Sequence, residues 1–254
     1  NNFDPVAFEV FSLEIRWYSL AYIFGIVLGW IYCKKKLIKD PIVLDLFDDF
    51  ITYLIIGIIL GGRIGYALFY NFSYYINNPF EILMVWNGGM SFHGGLIGVI
   101  LSCVIFGKKH KINSFIFLDL VALSAPIGIF FGRIANFLNS ELYGRATDLP
   151  WGVQFVLIDN IKRHPSQIYE AFFEGIILFF ILNYLFRRKY IVTPGKLSAL
   201  FLIFYSLFRY SLEFFRVPDP QIGFLFLNST LGQIISLLFF VIGVLLFYLK
   251  KNEN

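Results

Sequence analysis

Residues 231–249 read LGQIISLLFFVIGVLLFYL, nineteen positions without Asp, Glu, Lys, Arg or His. A helix that is apolar on every face is either the centre of a large core or a membrane span, and about 20 apolar residues cross a bilayer. The rest of the chain decides between the two. Of its 254 residues 58% are hydrophobic, 20% aromatic and only 15% charged, and the mean hydropathy is +0.71. A soluble protein of this composition would expose far more apolar surface than monomers tolerate. The solvent of this chain is therefore lipid.

Working back from 231–249, six more stretches have the length and apolarity of spans: 15–33, 51–70, 88–107, 115–138, 167–186 and 197–215. Loop markers separate them: Lys34-Lys35-Lys36, Asn77-Asn78-Pro79, Lys108-Lys109-His110-Lys111, Leu149-Pro150, Arg187-Arg188-Lys189 and Pro218-Asp219-Pro220. The opening Asn1-Asn2-Phe3-Asp4-Pro5 is acidic where a signal peptide is basic, so the first apolar run is expected to stay as a span. The expected fold is an all-α integral membrane protein of seven transmembrane helices. It forms one polytopic domain over 1–254, with 139–166 as its longest external loop region.

Lysine and arginine set the orientation, because cytoplasmic loops carry the excess. Thirteen fall on one side, in the first, third and fifth loops and after the last span. Five fall on the other: Arg16, Arg145, Lys162, Arg163 and Arg216. The N-terminus is thus expected outside and the C-terminus in the cytoplasm. The net charge of +4 is a topological signal and not a basic groove, which excludes nucleic acid as a partner.

Three arginines, Arg63, Arg133 and Arg209, remain inside predicted spans, where each costs about 2.5–3.5 kcal/mol on insertion scales. In the expected orientation all three lie in the outer half of the bilayer, as do Tyr18, His93 and Glu170. Tyr205, Arg209, Glu213 and Arg216 are spaced by four, four and three and share one helix face, and Arg133 shares another with Asn136. Such faces suit a cavity that holds phosphate, which guanidinium grips with a planar fork of donors. Each arginine alone admits another reading, snorkelling to headgroups or pairing with Glu170, Glu174 or Glu213. Gly25 with Gly29, Gly57 with Gly61, and Gly61 with Gly65 are small-xxx-small pairs that allow close helix packing.

Cys33 and Cys103 lie in or beside apolar runs, and His110 and His164 fall on opposite sides, so no metal site is expected. No cofactor is expected either. Asp119, near the cytoplasmic end of the fourth span, is expected to meet lysines or interfacial water.

At 132–151 the chain reads GRIANFLNSELYGRATDLPW. This resembles the signature of bacterial prolipoprotein diacylglyceryl transferases. The likeness extends through RWY at 16–18, GGRIGY at 61–66, GGMSFHGG at 88–95, RHPSQIYE at 163–170 and RYSLEFFR at 209–216. Ala135 and Ser140 stand where the family pattern leads us to expect glycine. The resemblance implies a multi-pass enzyme of the bacterial inner membrane, with its site facing the outer leaflet. It would move the diacylglyceryl group of phosphatidylglycerol onto the lipobox cysteine of a preprolipoprotein, giving a thioether and glycerol phosphate. The family's functional positions fall on Tyr18, His93, Arg133, Asn136, Glu141, Gly144, Arg209, Glu213 and Arg216.

Chemistry assigns the roles. A thiol of pKa about 8.5 attacks as its thiolate, so a base is wanted, and His93 is the one histidine at the right depth. Arg133 and Arg209 are expected to stabilise charge on the departing phosphate. Tyr18, Arg63, Asn136, Glu141, Gly144, Glu213 and Arg216 complete the substrate-binding set, with Glu141 and Gly144 shaping the external loop. The competing class is a membrane transporter with an arginine-lined anion site, whose expected internal repeat is not found.

Overall fold

The computed structural model describes residues 1, 3–11, 13–188, 193–218 and 223–250. Lys189, Asp219, Pro220 and Lys251, used above to mark loops and orientation, fall outside them. The chain is mostly helical. Among the described residues, five helices are long and apolar enough to cross a membrane: Phe92–His110, Ser114–Leu138, Ser166–Arg187, Lys196–Phe215 and Leu231–Leu249.

Element boundaries follow local chemistry. Strands β1 (Val6–Val10) and β2 (Leu13–Arg16) pair antiparallel, so the first helix, α1 (Trp17–Tyr32), starts two residues later than the apolar run suggests. Helix α2 spans Pro41–Phe69, ten residues earlier than expected. The Asp40 carboxylate accepts from the backbone N–H groups of Ile42 (2.8 Å) and Val43 (3.4 Å), and proline occupies the first helical position. At about 43 Å, α2 is longer than the hydrocarbon layer is thick. After the short α3 (Phe72–Asn77), α4 (Phe92–His110) begins only past Gly88 and Gly89, whose φ values of +74° and +78° are not helical.

Helix α5 is Ser114–Leu138. Two residues each form β3 (Val153–Gln154) and β4 (Lys162–Arg163), which pair antiparallel. Helix α6 (Ser166–Glu170) passes through a π-helical turn, Ala171–Ile177, into α7 (Leu178–Arg187). Helices α8 (Lys196–Leu212) and α9 (Leu231–Leu249) follow.

The chain divides into two compact units, residues 34–118 and residues 1–33 with 119–254. In the first, α2 and α4 meet along glycines. A Cβ on Gly61 would lie 2.3 Å from the Gly94 carbonyl oxygen, and one on Gly98 would lie 1.9 Å from that of Gly57. The small-residue pairs read from the sequence are thus helix contacts.

In the second unit, a Cβ on Gly25 of α1 would lie 2.8 Å from the Cα of Gly128 on α5. Asp119, expected to face lysines or water, is buried. Its carboxylate accepts from the Gly195 N–H (2.8 Å), the Ser198 N–H (2.8 Å) and the Ser198 hydroxyl (2.6 Å). It therefore caps α8 from a residue 76 positions away, a distance that no local capping pattern reveals.

Substituting Gly61→Ala should separate α2 from α4 and destabilise the protein by about 1–3 kcal/mol. Gly95→Ala, whose Cβ would lie 3.8 Å from its nearest neighbour, the Ile58 carbonyl, should leave the midpoint of thermal unfolding in detergent nearly unchanged. Equal midpoints for the two variants would contradict the glycine contact.

Candidate functional site

The unit of residues 1–33 and 119–254 gathers three buried acids and three arginines. Helix α5 brings Arg133 and Asn136 in its last turns. The junction of α6 with its π turn brings Glu170 and Glu174, and the end of α8 brings Arg209. Glu213 opens the 3₁₀ turn Glu213–Phe215, with Arg216 just beyond it. Arg133 reaches Glu170 at 2.9 Å and Glu174 at 3.2 Å. Arg209 reaches Glu170 at 2.7 Å, Glu174 at 3.9 Å and Glu213 at 2.6 Å. Arg216 lies 3.7 Å from Glu170.

Three guanidinium groups thus meet three carboxylates, and the cluster is balanced in charge. The second reading of these arginines, as partners of Glu170, Glu174 and Glu213, describes their contacts. Exposure nevertheless differs between the two signs. The side chains of Glu170 and Glu174 are 0% exposed and that of Glu213 5%, while Arg133, Arg209 and Arg216 keep 16%, 12% and 15%. The carboxylates form the inner side and the guanidinium groups the accessible side. The acids hold the arginine forks in place, and a ligand arriving from the accessible side meets N–H donors first.

Glu213 is itself held. Its Oε1 accepts from the Thr230 hydroxyl at 3.0 Å, and Thr230 caps α9 in a reciprocal pair with Gln233. That Thr-x-x-Gln pattern is a helix-start signal legible in sequence, and it is the mark by which Thr230 and Gln233 could have been found.

The loop after α5 is built around the other expected positions. The Asn136 side-chain amide donates to Glu141 at 3.2 Å, and the Gln167 amide donates to the Glu141 carbonyl at 2.5 Å. Gly144 donates its N–H to the His164 carbonyl at 3.0 Å. A Cβ there would lie 2.4 Å from that oxygen and 2.7 Å from the Phe215 carbonyl oxygen, so the loop admits only glycine. Ser140 adopts φ +56°, left-handed backbone that glycine takes without strain, which explains why a glycine is the expected residue there. Across β4 the Arg163 guanidinium bonds Asp159 at 2.5 Å and holds its carboxyl below the usual carboxylate range.

Arg63 departs furthest from its expected place among the substrate-binding residues. It is 2% exposed and belongs to the unit of residues 34–118. Its Nε donates to the Ile82 carbonyl (2.9 Å), Nη1 to those of Gly88 and Gly89, and Nη2 to those of Glu81 (2.9 Å) and Met84 (2.9 Å). A guanidinium has five N–H donors, and five carbonyls receive them. Arg63 fastens the segment 81–89, which leads into the start of α4.

His93, the second residue of α4, is in the same unit. Its ring packs edge-on to Phe92 (5.6 Å), and neither ring nitrogen has a hydrogen-bond partner among the described residues. Tyr18, the second residue of α1, packs edge-on to Tyr22 (5.2 Å). Among the described residues it makes no hydrogen bond to the arginine–glutamate cluster. No group of three His, Cys, Asp or Glu residues placed to hold a metal ion occurs among the described residues.

Comparison with known proteins agrees with the signature at 132–151. Residues 5–249 match the family model for prolipoprotein diacylglyceryl transferase. Two strains of Rickettsia bellii, OSU 85-389 and RML369-C, each have a phosphatidylglycerol–prolipoprotein diacylglyceryl transferase that is 53% identical over 248 residues. The match covers 96% of this chain and 94% of the relative. The protein of that name from Rickettsia felis is 50% identical over 245 residues, 95% of each chain. With a family model matched over nearly its whole length and relatives at half identity, this chain belongs to the prolipoprotein diacylglyceryl transferase family.

Proposed function

We propose that this protein transfers the diacylglyceryl group of phosphatidylglycerol to the lipobox cysteine thiol of preprolipoproteins, forming a thioether and releasing glycerol phosphate. The observation that carries the reading is the row of Arg133, Arg209 and Arg216 on the accessible side of Glu170, Glu174 and Glu213, in a chain of this family. Because the cluster is balanced in charge, it holds phosphate by oriented donors and not by net charge. The carboxylates keep the forks aligned before substrate arrives, so little reorganisation is needed as charge develops on the departing phosphate.

His93 takes the thiol proton. Its two ring nitrogens, without protein partners among the described residues, suit that role. Asn136 and Glu141 orient the headgroup, Gly144 shapes the loop, and Tyr18 belongs to the substrate-binding set. Arg63 acts by ordering the approach to α4.

In this reading α1 and the apolar part of α2 complete a set of seven spans across the bacterial inner membrane. The N-terminus is outside, the C-terminus is cytoplasmic, and the site opens to the outer leaflet. Single cysteines at Asn77 and Asp148, in a background lacking Cys33 and Cys103, should then react with an impermeant thiol reagent in intact cells. One at Lys108 should not. Labelling at Lys108 alone would invert the topology.

Lysine offers a point charge and cannot span two carboxylates as the Arg133 fork does. Arg133→Lys and Arg209→Lys should insert and fold yet lose about 10²-fold or more in transfer rate, measured as release of glycerol phosphate from labelled phosphatidylglycerol. Near-normal rates in both would reduce the arginines to structural partners of the buried acids.

A thiolate meeting the lipid faces two electrophiles, phosphorus and the glycerol carbon. The anionic phosphodiester repels an anion, whereas guanidinium groups stabilise a phosphate that leaves. Attack therefore falls on carbon: the sulfur–carbon bond forms as the carbon–oxygen bond breaks, and its electron pair departs on glycerol phosphate. With heavy oxygen at the bridge between diacylglycerol and phosphate, the label should emerge wholly in glycerol phosphate. Retention of the label on the lipidated peptide would rule this course out.

A further inference from the structure

Arg145 lies outside the balanced cluster, one residue after Gly144. Its backbone is held on both sides, its N–H by the Phe215 carbonyl (2.8 Å) and its carbonyl by the His164 N–H (2.9 Å). The Nε donates to the Arg216 carbonyl at 3.0 Å, and the guanidinium sits over the Phe224 ring at 5.7 Å. Both contacts fix the side chain. Its two terminal nitrogens have no hydrogen-bond acceptor and no carboxylate partner among the described residues. A guanidinium positioned this firmly with its fork unused is a preformed anion receptor.

The fork borders a cavity of about 430 Å³, lined by Arg145, Phe214, Phe224, Asn228 and Gln233, a volume within the range of small-molecule sites. Among the described residues, no acidic side chain lines it. Gln233 commits its Oε1 to the Thr230 N–H at 3.0 Å, and its amide nitrogen has no acceptor among the described residues. Two hydrogen-bonded paths tie this cavity to the arginine–glutamate cluster. One runs from Arg145 to the Arg216 backbone, and the other from Gln233 through Thr230 to Glu213.

We propose that this cavity is a second phosphate site, separate from the Arg133–Arg209 row, that takes a phosphate monoester of glycerol. This rests on the proposed transfer reaction, whose leaving group has that chemistry. The monoester's oxygens meet the Arg145 fork with the Gln233 and Asn228 amides beside it, and the Phe214 and Phe224 rings wall the glycerol end. A site of this kind beside the cluster receives the product and holds it away from the next donor lipid.

Equilibrium binding of radiolabelled glycerol phosphate to the full chain, purified in detergent, tests it. Wild type should saturate at two equivalents and Arg145→Gln at one, with the affinity of the remaining equivalent unchanged. That retained equivalent reports that the variant is folded; should it also vanish, Gln233→Leu decides, and is expected to weaken the same component about tenfold. Displacement of the Arg145-dependent equivalent by glycerol phosphate itself, but not by short-chain phosphatidic acid, identifies the released product as occupant. Stronger displacement by the lipid identifies a headgroup, and either outcome upholds the site. Saturation of wild type at one equivalent that Arg145→Gln removes would uphold the cavity and overturn the phosphate role of the cluster. Binding curves of Arg145→Gln and Gln233→Leu that match wild type would overturn the cavity.

Discussion

A carboxylate with no solvent contact holds together the unit of residues 1–33 and 119–254. Glu170 is 0% exposed, and Arg133 at 2.9 Å, Arg209 at 2.7 Å and Arg216 at 3.7 Å surround it. Burial of an unpaired charge is strongly unfavourable, and removing one member of a buried pair costs about 3–5 kcal/mol. The acid and its arginines are therefore mutually obligatory. That obligation ties α5, α6, α8 and the chain after α8 to a single point. It also fixes the orientation of the guanidinium groups, whose accessible edges are what a phosphate can reach.

The arginines inside predicted spans have two different fates, and the partner decides which. Arg133 and Arg209 meet carboxylates, which occupy part of each fork and leave an accessible edge. Arg63 meets five backbone carbonyls and has no donor left. Carbonyls carry no charge to balance it, but their dipoles all point at the guanidinium, so segment 81–89 folds around the side chain. One residue type thus supplies a ligand-facing surface in one unit and a fastening in the other. Arg145 is a third case: its side chain is fixed through Nε, and its fork meets no acceptor among the described residues.

Much of this is legible in the sequence. Composition established lipid as the solvent, and the apolar runs located the long helices to within a few residues, apart from the start of α2, because crossing hydrocarbon demands unbroken apolarity. Misplaced boundaries had local causes: the hairpin before α1, the Asp40–Pro41 start of α2, and the positive φ of Gly88 and Gly89. Spacing by four and three grouped Arg209, Glu213 and Arg216 in the sequence, although α8 ends at Leu212 and Arg216 lies extended beyond the 3₁₀ turn. The blocks around 61–66, 88–95, 132–151, 163–170 and 209–216 revealed the family.

Pairing was not legible, because a partner is chosen in three dimensions from residues far apart in the chain. Nothing in the sequence says that Arg133 shares Glu170 with Arg209, that Arg63 spends its donors on carbonyls 18 to 26 residues away, or that Asp119 caps α8. By itself the sequence determined the solvent, the helices, the family and the residue types that gather on each helix face. Only the tertiary structure decided which charges cancel and which donors remain open. Those outcomes depend on distances of 2.6 to 3.9 Å between charged side chains, and packing sets such distances where periodicity along one helix cannot.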